Sequence, residues 1–179
     1  MQKYMDIDIR VVAGALVPVV ASQVVKVVHH FMANSDTEIA LALPLMKTGE
    51  YRQVGERIRL YAKDRPELDE LADMLEGNSS VKDHIAVKRI KSCPENPECW
   101  VAYTRHRHPR KSDAKWRAEV SDKLTQMPVI YVRSIKQPDL RFGLGVVRFT
   151  SDHRSDSPGK LNGYGLSSRA APYWLPEVS

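Results

Sequence analysis

The stretch "QVVKVVHHFM", residues 23–32, ends a run of valines with two adjacent histidines, His29 and His30. Histidine has an ordinary pKa of about 6.5, which suits a general acid or base at neutral pH. At about 100° per residue, a helix through this stretch gathers its apolar side chains in one stripe. The stripe contains Val20, Val24, Val27, Val28 and Phe31. His29 then lies opposite the centre of the stripe, either as an ordinary surface residue or as a proton-transfer group, and His30 lies on its flank.

A second set of candidate residues is a basic segment with aromatic residues between its cations. The cations are Arg105, Arg107, Arg110, Lys111, Lys115 and Arg117, and the aromatic residues are Trp100, Tyr103 and Trp116. Guanidinium groups bind phosphates and guanine edges, and aromatic rings stack on bases. Asp113 and Glu119 are too few carboxylates to compensate this segment as a merely solvated charged face. The segment therefore predicts contact with RNA.

A zinc site could be built from Cys93, Cys99, His106 and His108. Their spacing is C-x5-C-x6-H-x-H, whereas structural zinc sites usually combine a C-x2-4-C pair with an H-x3-5-H pair. We therefore expect a proline-stiffened loop, no metal ligand and no cofactor. A zinc-stabilised interaction protein is the weaker alternative.

Positive charge is confined to the second half of the 179-residue chain. Residues 1–85 contain 10 lysines and arginines against 13 acidic residues, a net charge of −3. Residues 86–179 contain 17 against 9, a net charge of +8. Such a concentration of cations is expected of a nucleic-acid-binding protein, because neutralised phosphates release condensed counterions. A merely basic surface is the alternative.

The composition favours a cytoplasmic protein with a substantial core. Apolar residues make up 42% of the chain, which is enough for one large domain or two small ones. No apolar run reaches 18 residues, and "MQKYMDIDIR" does not read as a signal peptide, so we expect no membrane span. The two cysteines are too few for a disulfide framework.

The hydrophobic patterns predict an α+β protein with two domains. Strands are predicted in "KYMDIDIR", "TEIALALPL", "GERIRLYAK" and "HIAVKRIKS", and helices at residues 15–33 and in "RPELDELADMLEG". This β-α-β-β-α-β order predicts a ferredoxin-like domain over residues 1–92, which carries His29. Residues 93–179 then form a smaller, irregular α/β domain for RNA recognition, with strands in "PVIYVRS" and "FGLGVVRF".

An ordered set of motifs resembles the CRISPR-associated repeat-processing endoribonucleases of subtype I-F, which cut precursor transcripts into guide RNAs. The matching features are "YMDIDIR", the helical His29, "GERIRLYA", "PVIYVRS" followed by "RF", and "YGLSS…PYWLP". The resemblance implies that His29 is the catalytic histidine, that Ser134 holds the attacking ribose hydroxyl, and that Tyr164 orients the histidine. It also implies that Phe142 stacks on the base pair at the foot of the RNA hairpin and that Arg105 reads a guanine. Taken singly, Ser134 would be a turn residue, and Phe142 and Tyr164 would be core residues.

The resemblance further implies a metal-independent reaction in a prokaryotic cytoplasm. A 2′-hydroxyl attacks the adjacent phosphorus and leaves a 2′,3′-cyclic phosphate and a 5′-hydroxyl. The expected partners are the repeat hairpin, the guide RNA that stays bound, and other subunits of an interference complex, with no membrane partner. Whether His29 is a base or a hydrogen-bond donor stays open.

Two departures from the family pattern leave other readings open. The basic element "RHRHPRKSDAKWR" is shorter than the family's arginine-rich helix, and Arg107 replaces a glutamine that reads adenine. The base preference and the helix contacts are therefore undecided. A non-catalytic RNA-binding module on the same fold is the main alternative, in which His29 is a surface residue.

We predict that His29→Ala strongly slows cleavage of a repeat hairpin RNA, whereas His30→Ala leaves cleavage largely intact. The reason is that only His29 lies opposite the apolar stripe. Cleavage of labelled RNA by the two variants, measured side by side, checks this prediction. Equal losses would show that the helical phase is wrong.

Overall fold

The computed structural model describes residues 1–10, 16–106, 126–133, 139–154 and 159–178. These residues form two antiparallel β-sheets and two α-helices. The α+β class predicted from the sequence is confirmed. Within the described ranges, neither helix is both long and apolar enough to cross a membrane.

The first sheet and both helices come from the first 92 residues. The strands are β1 (Lys3–Ile9), β2 (Ala40–Ala42), β3 (Arg57–Ala62), β4 (Ile85–Val87) and β5 (Lys91–Ser92). The helices are α1 (Val17–Asn34) and α2 (Arg65–Gly77), and a 3₁₀ turn at Lys82–His84 precedes β4. The strands are antiparallel in the order β2-β3-β1-β4, and β5 also pairs with β1. This arrangement is compatible with a ferredoxin-like fold.

Both helices begin and pack as their sequences indicate. Helix α1 buries Val20, Ala21, Val24, Val25, Val27, Val28 and Phe31, so the predicted stripe is confirmed. Pro18 lies in its first turn, where the missing N–H breaks no helical hydrogen bond. His29 is half-buried and His30 is exposed. Helix α2 begins with a capping box in which the Asp64 N–H donates to the Glu67 carboxylate at 3.1 Å.

The strand predicted over residues 84–92 is divided into β4 and β5 by a bulge. Val87 of β4 pairs with Ile7, and Lys91 of β5 pairs with Tyr4. Val87 and Lys91 are four residues apart, whereas their partners in β1 are three residues apart. One extra residue in a strand bends it and increases its twist. The apolar alternation of the sequence slips by one residue in "VKRI", which was the available signal.

The second half of the chain contains a regular sheet. Its strands are β6 (Trp100–His106), β7 (Val129–Arg133), β8 (Arg141–Ser151) and β9 (Leu175–Pro176). They are antiparallel in the order β7-β8-β6-β9. The sequence predicts a smaller, irregular α/β domain over residues 93–179, and the described part of this range contains the antiparallel sheet. In "WVAYTRH" the four consecutive residues Val101 to Thr104 are buried, which is typical of a strand covered on both faces.

A loop at residues 162–167, hereafter the 162–167 loop, joins the edges of the two sheets. The Gly165 carbonyl accepts a hydrogen bond from the Leu41 N–H of β2 at 2.8 Å. Two residues later, the Ser167 N–H donates to the Tyr103 carbonyl at 3.0 Å, and the Arg105 N–H donates to the Ser167 carbonyl at 2.8 Å. Gly165 has a φ of 74°, and a Cβ there would lie 2.8 Å from the Ile39 carbonyl oxygen. The close contact of the sheets therefore requires glycine at this position.

A buried ion pair fixes residues 176–178 against the first sheet. Arg59, which is 3% exposed, donates to the two carboxylate oxygens of Asp6 at 2.6 and 3.0 Å. The same guanidinium donates to the Val178 carbonyl. The Tyr61 hydroxyl donates to the Pro176 carbonyl at 2.9 Å. Arg59 and Tyr61 thus couple the first sheet to β9 and to Val178, which follows β9.

We predict that Arg59→Ala lowers the free energy of unfolding by about 3–5 kcal/mol, because it leaves the Asp6 carboxylate buried without its partner. The matched control is Arg65→Ala, which breaks the exposed Arg65–Asp69 pair and is expected to cost no more than about 0.5 kcal/mol. Urea unfolding of both variants measures the difference. Equal effects would contradict the role assigned to the buried pair.

Candidate active site

The imidazole of His29 bonds to a main-chain carbonyl in the second half of the chain. Its Nδ1 lies 2.6 Å from the Gly163 carbonyl oxygen. A carbonyl oxygen only accepts hydrogen bonds, so Nδ1 carries the proton. In the neutral ring, Nε2 then holds the lone pair. Within the described residues no hydrogen bond engages Nε2, which can therefore accept a proton from a ligand.

Tyr164 covers the His29 ring. The two ring centroids are 4.1 Å apart with an interplanar angle of 30°, a stacked arrangement. Burial raises the pKa of the Tyr164 hydroxyl, and the positive charge of Arg105 partly offsets that increase. The phenol therefore stays protonated at neutral pH and is unsuited to act as a base. Its ring restricts the motion of the imidazole.

Phe142 and Arg105 extend the cluster away from the histidine. The Phe142 ring meets the Tyr164 ring edge to face, with centroids 6.0 Å apart and an interplanar angle of 77°. The Arg105 guanidinium lies 5.5 Å from the Phe142 centroid and 5.9 Å from the Tyr164 centroid. Both distances fall within cation–π range. The structure thus brings together four of the residues predicted from the sequence: His29, Tyr164, Phe142 and Arg105.

Each member of the cluster is held by a different element. His29 lies in the last turns of α1, Arg105 in β6 and Phe142 in β8, while Tyr164 belongs to the 162–167 loop. Across the strand pair, Phe142 lies opposite Val132 of β7. Helix α1 is connected to the edge of that strand through Ser22, whose hydroxyl donates to the Tyr131 carbonyl.

Several predicted site residues lie outside the described residues. They are Ser134, Arg107, Arg110, Lys111, Lys115 and Arg117. Their roles remain predictions. Ser134 directly follows Arg133, the last residue of β7.

Two residues of the site were missed in the sequence. Gly163 supplies the carbonyl that binds His29, and Asn162 accepts a hydrogen bond from the Tyr164 N–H at 2.8 Å. The signal was the run "NGYG", because asparagine and glycine favour tight turns. Turn chemistry alone does not reveal that the turn contacts a helix 134 residues away in sequence.

The cysteines take part in packing and hydrogen bonding. The Cys99 thiol donates to the Glu177 carboxylate at 2.7 Å, and this bond raises the pKa of Cys99. Cys93 packs against the hydrophobic core. Among the residues that the structure describes, no three or more potential ligands group together as a metal site. His108, the fourth residue of the candidate zinc spacing, lies outside those residues.

Residues 4–174 match the family described as CRISPR-associated protein (Cas_Csy4). The chain therefore belongs to the Cas_Csy4 family, the CRISPR-associated endoribonucleases of subtype I-F. Membership implies that the chain binds and processes CRISPR repeat RNA.

Other comparisons add little. None of the curated proteins matches the chain. One similar solved structure is a crystal structure described as that of a chlorite dismutase, with 13% sequence identity and a TM-score of 0.33. The match covers 83% of this chain and 78% of the other. A likeness this low carries no conclusion about fold or function.

We predict that Tyr164→Phe keeps the pH dependence of RNA cleavage, because the phenol is protonated throughout the neutral range and the aromatic ring is retained. Tyr164→Leu should lower the cleavage rate by roughly 2- to 10-fold through loss of the aromatic contact with His29. Single-turnover rates from pH 6 to pH 9 compare the two variants. A Tyr164→Phe profile with a lost or shifted limb would show that the hydroxyl titrates in the reaction.

Proposed function

We propose that the chain is a metal-independent endoribonuclease that cuts CRISPR precursor transcripts at the base of the repeat hairpin. The products are a 2′,3′-cyclic phosphate and a 5′-hydroxyl, and the protein stays bound to the mature guide RNA. The observation that carries the proposal is the His29 ring, whose Nδ1 is engaged by Gly163 and whose Nε2 has no hydrogen bond to the part of the chain that the structure describes. Family membership supports the RNA substrate.

In the proposed reaction, Nε2 of His29 accepts the proton of the 2′-hydroxyl. The 2′ oxygen forms a bond to the adjacent phosphorus, and the bond from phosphorus to the 5′ oxygen breaks. The departing 5′ oxygen takes up a proton, either from the imidazolium or from water. If another group removes the first proton, the imidazolium instead acts as a donor to the developing charge. Ser134 is proposed to hold the attacking hydroxyl.

The aromatic and cationic part of the cluster suits the end of an RNA stem. A face of Phe142 is proposed to stack on the terminal base pair, beside Arg105 at 5.5 Å from the ring centroid. An A-form duplex hides its major-groove edges, so its shape, phosphates and ends carry most of the recognition. Arg105 is proposed to read a guanine. Further phosphate contacts are proposed for Arg107, Arg110, Lys111, Lys115 and Arg117.

The same proposal divides the chain at residues 92 and 93. The first part is a ferredoxin-like domain with the histidine, and the second is the RNA-recognition domain. The strands β1 to β5 precede residue 93 and β6 to β9 follow residue 99, which supports this division. Other subunits of a subtype I-F interference complex are proposed partners. The cytoplasmic location expected from the sequence stays a prediction.

The decisive experiment incubates the protein with a repeat hairpin RNA from the same genome in EDTA. We expect cleavage that His29→Ala slows by about 10²- to 10⁴-fold, the usual contribution of a general acid or base. RNA with a 2′-deoxyribose on the 5′ side of the cut should bind and remain intact. The 3′ end of the upstream product should resist ligation until a cyclic phosphate is removed.

Three results would contradict the proposal in different ways. Binding of the RNA without cleavage would favour the non-catalytic RNA-binding module. Cleavage that is lost in EDTA and restored by Mg²⁺ would contradict metal independence. Cleavage of the 2′-deoxy substrate would show that the nucleophile is not the ribose hydroxyl.

A further inference from the structure

The proposed reaction needs an imidazole of fixed orientation and tautomer, and one carbonyl oxygen supplies the hydrogen bond that can provide both. We propose that Asn162 is a positioning residue for cleavage, because its side chain holds the turn that directs the Gly163 carbonyl at His29 Nδ1. The inference rests on the proposed nuclease function and concerns the same site.

Asn162, which precedes Gly163, forms four hydrogen bonds to residues that follow Gly163. Its side-chain Oδ1 accepts from the Tyr164 N–H at 2.8 Å and, at a longer 3.4 Å, from the Leu166 N–H. Its main chain donates to the Leu166 carbonyl at 2.8 Å and accepts from the Gly165 N–H at 2.9 Å. An asparagine that accepts from the residue two positions later forms an Asx turn, which restricts the residue between them. That residue is Gly163.

The contact between Gly163 and His29 is close enough to depend on the exact shape of this turn. The hydrogen bond is 2.6 Å long, and a Cβ at Gly163 would lie 3.3 Å from both Cε1 and Nδ1 of the ring. The imidazole therefore packs directly on the glycine backbone. A displacement of the turn by less than an ångström would alter both the hydrogen bond and the packing.

The remaining anchors of the 162–167 loop do not include Gly163. Leu161 is paired with Ser167, and Gly165 and Ser167 bond to β2 and β6. These contacts hold the two arms of the turn and join the sheets. Removal of the Asn162 side chain leaves them in place, so we expect the protein to fold and to bind RNA while the Gly163 carbonyl loses its fixed direction.

If the Gly163 carbonyl loses its fixed direction, the tautomer and the orientation of the His29 ring are no longer fixed. Without the acceptor, the neutral imidazole carries its proton on either nitrogen, and the ring can rotate. The fraction of molecules that present an Nε2 lone pair to the 2′-hydroxyl then falls. The cleavage step slows, whereas the affinity for RNA, which does not depend on that lone pair, stays unchanged.

The experiment compares Asn162→Ala with Asn162→Asp, which keeps an oxygen acceptor for the Tyr164 N–H. We expect Asn162→Ala to slow single-turnover cleavage by about 10- to 100-fold, a range typical when the group that orients a functional histidine is lost. Asn162→Asp should recover most of the rate. The Kd for the 2′-deoxy repeat RNA should change less than twofold in both variants. Long-range ¹H–¹⁵N spectra should show the neutral His29 ring protonated on Nδ1 in the wild type and as a mixture of the Nδ1 and Nε2 tautomers in Asn162→Ala.

The matched control is Asn78→Ala, since Asn78 accepts from the Ser80 N–H at 2.9 Å in a similar turn away from the site. It should leave cleavage unchanged. If the wild-type protein cleaves the RNA and needs His29 to do so, but Asn162→Ala cleaves equally fast, this inference is overturned and the proposed function stands. Absence of wild-type cleavage overturns the proposed function itself. Poor cleavage by Asn162→Asp together with an unchanged His29 tautomer in Asn162→Ala also overturns the inference.

A second variant keeps the test decisive if Asn162→Ala does not fold. Gly163→Ala retains the Asx turn and the carbonyl but places a methyl group 3.3 Å from the His29 ring. We expect slower cleavage with unchanged RNA affinity. A normal rate in this folded variant would overturn the inference.

Discussion

The hydrogen bonds on the two sides of the 162–167 loop are the constraint on which the site depends. Gly165 extends the edge of β2, and Ser167 extends the edge of β6. The short segment therefore satisfies the backbone groups of two sheet edges at once. A helix of the first half and a turn of the second half approach each other because this segment fixes their separation. The 2.6 Å contact between Gly163 and His29 is a consequence of that arrangement.

The site holds His29 by a hydrogen bond and by an aromatic contact. The carbonyl of Gly163 sets which nitrogen of His29 carries the proton, and the ring of Tyr164 limits where the imidazole can move. Phe142 and Arg105 continue this surface without adding a titrating group of their own at neutral pH. Under the proposed function, the His29 ring transfers the proton, Tyr164 orients it, and Phe142 and Arg105 form a platform for RNA.

The sequence predicted the helices and strands whose apolar residues recur at regular short spacings. The apolar spacing within α1 and α2 indicated both helices, because burial of one helix face leaves a periodic pattern. The bulge between β4 and β5 was missed because a slip of one residue is a weak signal. Of the site, the resemblance identified His29, Tyr164, Phe142 and Arg105, and the structure brings them together. Asn162 and Gly163 were missed, since "NGYG" indicates only a turn and the Gly163 main-chain carbonyl acts independently of its side chain.

The buried pair between Arg59 and Asp6 has a consequence for how the chain acquires its structure. Arg59 bonds to Asp6 and to Val178, which lie 53 and 119 positions away in sequence. Contacts at such separations carry a large loop-closure entropy and slow the folding of a domain. During synthesis, the first sheet therefore remains without its last partner until residues 176–178 have left the ribosome. The candidate site, which joins both sheets, is therefore completed only after residues 162–178 have been synthesised.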